Sequence, residues 1–188
     1  VGLFFGPNSG HMRGMSKPDA SAAQAAIEND WADHYLKGEG PMPAANVTAY
    51  LQTCPANASA GEPFVAKDWA SIAPGEIRLV DSSGESQKVS PTGGDPVTGG
   101  LFNPAPTGQA CTPAPGGKET GSADWDLPAA PAGGYTVLGA PTLVARIRQA
   151  GTDSQVAARL VDVSPDGLTK TLIARALWRP AGSGIQVF

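Results

Sequence analysis

Between about residue 81 and residue 134 the chain runs through Thr92-Gly-Gly-Asp-Pro96, Thr98-Gly-Gly100 and Pro113-Ala-Pro-Gly-Gly117. Proline withholds an amide donor and glycine loses the most backbone entropy on ordering, so no long helix or central strand crosses such a stretch. It divides the sequence into a mixed α/β part over 1–80 and a part over 81–188 that starts with a loop-rich lead-in. Glycine and proline together make 42 of the 188 residues and concentrate here. That concentration points to one long structured loop in a folded chain, not to a disordered protein. A loop of this length is normally functional or tethered.

Ahead of the loop the periodicity is of two kinds. Leu3-Phe4-Phe5 is a short apolar run bounded by glycines, the pattern of a strand buried on both faces in a parallel sheet. Pro18-Asp19 starts a helix, with Asp19 suited to its positive N-terminus as a cap. Ala23, Ile27, Trp31 and Tyr35 recur every fourth residue as one apolar stripe, and Gly38 supplies the stop. Asn46 to Thr53 alternates Val47, Ala49 and Leu51 with polar neighbours and reads as a second strand. A connector from Glu62 passes Trp69 and Pro74-Gly75 and ends in a further strand over 76–80. Strand, helix and strand over residues 1–53 is the α/β signature.

After residue 134 the pattern becomes all-β. Leu143, Ala145 and Ile147 alternate with Val144, Arg146 and Arg148, a half-buried strand with a basic outer face. Segments 156–163 and 171–178 repeat the theme, and another strand begins at Gly184. Between the two segments Ser164-Pro-Asp-Gly167 is a turn, because Pro165 presets φ and Gly167 accepts a positive one. Short strands at this spacing point to a β-sandwich.

Charge and cysteine usage narrow the function. The net charge is −4 and the 13 Lys and Arg are scattered singly, which gives no basic stripe for nucleic acid. No run approaches the roughly 18 apolar residues of a membrane helix. Cys54 and Cys111 sit in turn-rich surroundings and outside Cys-x-x-Cys spacing. In a Ser/Thr/Pro-rich chain with few lysines they suit a disulfide in an oxidising, secreted or cell-envelope setting. No His, Cys, Asp and Glu cluster has metal-ligand spacing, and the Gly-Gly pairs lack the lysine and helix of a phosphate loop, so no cofactor is expected. Val1-Gly-Leu-Phe-Phe has no leader before it, and the expectation is a piece truncated at both ends.

Five segments, in order, carry a resemblance. They are Phe5-Gly-Pro-Asn-Ser-Gly-His11, Trp31-Ala-Asp-His-Tyr-Leu-Lys-Gly38, Gly139-Ala-Pro141, Arg159-Leu-Val-Asp-Val-Ser-Pro-Asp-Gly167 and Ile173-Ala-Arg-Ala-Leu-Trp-Arg-Pro180. The chain resembles the C-terminal portion of the X-Pro dipeptidyl-peptidase and cocaine-esterase-type serine hydrolases. The segments lie toward both ends of the chain, whereas 81–134 matches weakly, and Asn8 stands where that family usually has Trp or another large residue. The resemblance implies the end of an α/β-hydrolase domain with its connector over 1–80, then a loop-rich lead-in and a jelly-roll sandwich over 81–188. It implies a serine hydrolase that cleaves an ester, amide or peptide bond through an acyl-enzyme, with His11 as the general base. The partners it implies are a small ester, amide or peptide substrate and the remainder of the hydrolase domain, with no membrane span.

Other residues have plainer readings. In the resembled family the nucleophilic serine, the oxyanion-hole donors and the orienting aspartate all precede the histidine, so this chain alone is expected to be inactive. Ser9 lies in Gly-Pro-Asn-Ser-Gly, which is not a nucleophile elbow. Asp30 and Asp33 read as the solvated face of the helix, and His34 as a packing or hydrogen-bonding residue on it. Trp125 reads as an anchor holding the long loop to the sandwich. The reading from another class is a non-catalytic β-sandwich that binds carbohydrate or another protein.

Overall fold

The apolar triplet Leu3–Phe5 forms strand β1, which pairs in parallel with β2, Val47–Ala49. A computed structural model describes residues 3–5 (backbone only), 17–55, 57–90, 97, 111–151 and 154–187. The chain divides into two units, Val1–Leu79 with Asn103–Cys111, and Val80–Phe102 with Thr112–Phe188.

In the first unit helix α1, Pro18–Ala32, lies in sequence between β1 and β2, so the expected order of strand, helix and strand is present. α1 runs into a π-helical turn over Asp33–Lys37 and stops at Gly38, whose φ of 73° is left-handed. β2 also pairs antiparallel with β3, Phe64–Ala66, and a short helix α2, Trp69–Ile72, follows. Asp68 caps α2 by accepting the Ser71 N–H at 2.9 Å. β2 is shorter than the run of alternation over 46–53, because only Val47–Ala49 finds partners on both sides.

One expectation fails here. The strand over 76–80 does not form: Ile77, Leu79 and Val80 are exposed, and Arg78 pairs with nearby Glu76 at 2.8 Å. Alternation makes a strand only where a ladder partner exists. The apolar stripe that runs from α1 into the π-helical turn is partly open to solvent, with Trp31 45 % and Tyr35 53 % exposed. The apolar residues buried among those described are small, Ala20, Val47, Ala49, Ala60 and Ala114.

The second unit is β-rich. Strand β4, Pro113–Pro115, pairs with β7, Thr169–Trp178, and β7 pairs with β6, Val156–Val163, all antiparallel. β4 is an edge strand, where proline is tolerated because one side needs no ladder donors. A second antiparallel pair joins β5, Val144–Ile147, to β8, Gly184–Val187. The Trp178 indole N–H donates to Gln186 Oε1 at 3.2 Å and links the two sheets. Taken over its described residues, the protein is mainly β with few helices.

The β6–β7 hairpin turns where its sequence says it must. Gly167 N–H donates to Ser164 O at 2.8 Å with φ 71° at Gly167, and Ser164 N–H donates to Thr169 O at 2.9 Å. Gly116 has another reason to be glycine. A Cβ there would lie 2.0 Å from Gly167 O, so only glycine lets the end of β4 lie against this turn.

The described part of the long loop is ordered by side chains. Gln87 Nε2 donates to Asp124 O at 2.9 Å, Asp124 N–H returns to Gln87 Oε1 at 3.2 Å, and Ser90 N–H donates to Gly121 O at 3.0 Å. Trp125 Nε1 donates to Asp81 Oδ2 at 2.9 Å and so ties two parts of the loop together. An ionic anchor of the loop on the sheet is Glu119. It receives Arg159 of β6 at 2.7 Å and the largely buried Lys170 of β7 at 2.8 Å. Arg159 stands directly opposite Arg175 in the ladder, a like-charge pairing that Glu119 offsets.

A pH prediction follows. Burial is the largest single influence on Glu119 and raises its pKa, but the bonds and charges of Arg159 and Lys170 more than offset it and hold the carboxyl below its usual range. A depressed folded-state pKa contributes stability that is complete above the ordinary glutamate value of about 4.3 and is lost as pH falls through the lower folded value. Glu119→Gln is expected to cost about 1–2 kcal/mol near neutrality. Melts of both proteins from pH 7 downward check it: the gap between their midpoints should start to narrow only as pH falls below the ordinary glutamate value of about 4.3, and a gap that stays constant would contradict the assignment.

Candidate functional site

His11 lies outside the described residues, as does Ser9. What is described is the frame on either side of His11. Six residues before it stands Phe5, the end of β1, held to Ala49 of β2 by the parallel ladder. Six residues after it stands Lys17, the N-cap residue of α1.

Lys17 is an unusual start for a helix. Its backbone is extended and its carbonyl accepts the Ser21 N–H at 2.8 Å, while its side chain is only 3 % exposed. A buried ammonium must be hydrogen-bonded. Lys17 Nζ donates to Ala58 O at 2.6 Å and to Pro55 O at 3.4 Å. Both carbonyls belong to a turn that follows a cis Cys54–Pro55 bond, in which Ala58 N–H donates to Pro55 O at 2.9 Å. Asp19, two residues on, grips the same turn: its Oδ2 accepts from the Ser59 hydroxyl and, at 3.2 Å, from the Gly61 N–H. Thr53 Oγ1 closes the turn on Ser59 O at 2.7 Å.

The N-cap residue of α1, Lys17, makes no side-chain cap hydrogen bond; Asp19 sits in the first turn, at the positive end expected of it, and its carboxylate also reaches Ser59 and Gly61. The Ser59 hydroxyl, helped by the backbone N–H groups of Ala20, Gly61 and Ala60, holds its pKa below the ordinary value against an opposing push from burial. Cys54 and Cys111 are disulfide-bonded, which fastens the start of this turn to a second segment of the same unit.

The remaining candidates are settled by their neighbours. His34 Nδ1 lies 3.3 Å from Gly40 O, and its ring meets Tyr35 edge-on at 4.7 Å, which is the packing and hydrogen-bonding role expected. Asp33 pairs with Lys37 at 2.5 Å, one turn along, and Asp30 is exposed. In the second unit Gln155, Leu177, Trp178 and Arg179 line an open hollow of about 150 Å³. That is below the roughly 300 Å³ at which ligand pockets begin. No protein-family model, curated protein or solved structure matches this chain. No group of three or more His, Cys, Asp and Glu among the described residues is placed to hold a metal ion. No helix among them is long and apolar enough to cross a membrane.

Lys17 and Glu119 are the residues that sequence reasoning missed. Neither has a local signal. Each is fixed by partners about 40 to 50 positions away in the chain.

Proposed function

We propose that this chain is the C-terminal portion of a serine hydrolase of the X-Pro dipeptidyl-peptidase and cocaine-esterase type, with His11 as its general base. The reading rests on the ordered segments that resemble that family. One structural observation supports it above others: the segment bearing His11 leaves the carboxyl end of a strand that pairs in parallel with its neighbour. Catalytic groups of α/β folds lie just beyond the carboxyl ends of such strands. The disulfide is compatible with an extracellular protein. The β-rich second unit is the jelly roll of this reading.

The chemistry is acyl transfer. A serine oxygen, supplied by another part of the full-length polypeptide, attacks the substrate carbonyl carbon while an imidazole nitrogen takes its proton. That proton passes to the leaving alcohol or amine as the carbon–heteroatom bond breaks. Water then attacks the acyl-enzyme by the same route and returns the serine. An imidazole suits both directions because its unperturbed pKa of about 6.5 lies near neutrality.

A fluorophosphonate that captures activated serines tests the reading. The full-length protein is expected to be labelled on a serine N-terminal to this chain and to hydrolyse p-nitrophenyl esters. The 188 residues alone are expected to be unlabelled and no faster than free imidazole. Esterase activity in the isolated chain would place the nucleophile within it and sink the proposal.

A further inference from the structure

We propose that the hollow at the open end of the β6–β7 hairpin is a shallow seat for one pyranose ring of an oligosaccharide, favouring rings whose hydroxyls are equatorial. The proposal concerns the second unit alone and does not depend on the hydrolase reading.

The hollow lies where the two strands end their pairing. Val156 of β6 stands opposite Trp178 of β7, and Gln155, Leu177, Trp178 and Arg179 line the space beside that last pair. Its main wall is fixed before any ligand arrives. The Trp178 indole N–H donates to Gln186 Oε1 at 3.2 Å, and Gln186 Nε2 in turn donates to Gly182 O at 3.3 Å. Pro180, next along the chain from Arg179, is buried. A ring held in this way loses little freedom on binding.

A tryptophan that served packing alone would have its ring covered. Trp178 keeps 37 % of its surface open, and Leu177 beside it keeps 75 %. With the indole N–H taken by Gln186, what Trp178 offers a ligand is the apolar ring. Gln155 is exposed, and among the described residues its carboxamide has no partner, which leaves donors and an acceptor at the rim. Arg179 adds a guanidinium, a fork of N–H donors with no acceptor.

These groups match a ligand with an apolar face and oxygens around its edge. A pyranose with equatorial hydroxyls has that form, because C–H groups cover its faces and the oxygens point outward. A purely apolar ligand would desolvate Gln155 and Arg179 without return. The volume of about 150 Å³ equals that of about five waters. That is too little to bury a ligand whole and enough to seat one ring while its neighbours run over the surface.

The test is calorimetric titration of the full-length protein with cellotetraose, beside the Trp178→Ala and Gln155→Ala variants. The wild type is expected to saturate with a Kd on the order of 1 mM, as suits one half-covered ring. Gln155→Ala removes an exposed side chain and is expected to weaken binding about fivefold. Trp178→Ala, where it folds, is expected to weaken it more than about tenfold; where it does not, Gln155→Ala decides. β-1,4-Galactotetraose carries an axial oxygen on each ring, which would be desolvated against the indole, so it is expected to bind at least about fivefold more weakly. The absence of saturable binding overturns the proposal. Binding that Gln155→Ala or a folded Trp178→Ala leaves unchanged also overturns it, since the sugar then sits elsewhere. Equal affinity for the two sugars overturns it as well.

Discussion

Replacing His11 by alanine in the full-length protein is expected to lower kcat for a p-nitrophenyl ester by about 10⁴-fold or more, with the thermal midpoint little changed. A serine hydroxyl is a poor nucleophile at neutral pH. It becomes reactive when a base held about 2.6–3.2 Å away takes its proton as the new bond forms. In the proposed hydrolase, alanine would leave serine, oxyanion donors and substrate pocket in place but remove the proton acceptor. Triad members act as a unit, so the loss of one forfeits most of what all three achieve. Residual turnover would come from transition-state binding alone. The midpoint is expected to hold because a polar residue in a Gly-Pro-Asn-Ser-Gly-His loop is not where such a fold keeps its apolar contacts. Ester turnover and a melt on the same preparation decide the matter. A folded variant with near-normal turnover would remove His11 from the reaction, and with it the assignment of this segment.

What the sequence made legible is what local chemistry dictates. The helix over Pro18–Ala32 with its stop at Gly38, the strand over Val156–Val163 and the Ser164–Gly167 turn follow from period, capping and φ preference, and each formed. Elements that need a distant partner were less legible. Residues 76–80 alternate as well as many strands do, yet none of the described residues offers them a ladder. Trp31 and Tyr35 keep helical spacing and contact each other at 5.1 Å, but lie exposed. In the candidate site the pairing of Cys54 with Cys111 could be read from turn-rich contexts and composition. Lys17 could not, since nothing near it announces that carbonyls at 55 and 58 will take its ammonium. Glu119 is the same case, a carboxylate whose worth depends on two cations from different strands.

Removing the Cys54–Cys111 bond, by reduction or as the double Cys→Ala variant, is expected to destabilise the protein by about 4 kcal/mol. The sequence separation of 57 residues sets that figure, because the cross-link withholds loop-closure entropy from the unfolded chain. The loss matters here more than in a protein with a large core. The apolar residues buried among those described are alanines and one valine, each of which contributes little on burial. The bond also sits where other contacts converge. Lys17, Asp19 and Thr53 all hold the turn that begins at Cys54, and their hydrogen bonds weaken together if its start is released. For a chain of this size the loss corresponds to a fall in thermal midpoint of roughly 10 °C. Melts of the oxidised, reduced and double-variant proteins measure it, with peptide mass spectrometry to establish the state of the two thiols. A reduced protein that melts within about 2 °C of the oxidised form, less than 1 kcal/mol by the same conversion, would show that the unfolded chain gains no freedom when the bond is cut. The turn at 54–61 would then owe its order to the hydrogen bonds of Lys17, Asp19 and Thr53.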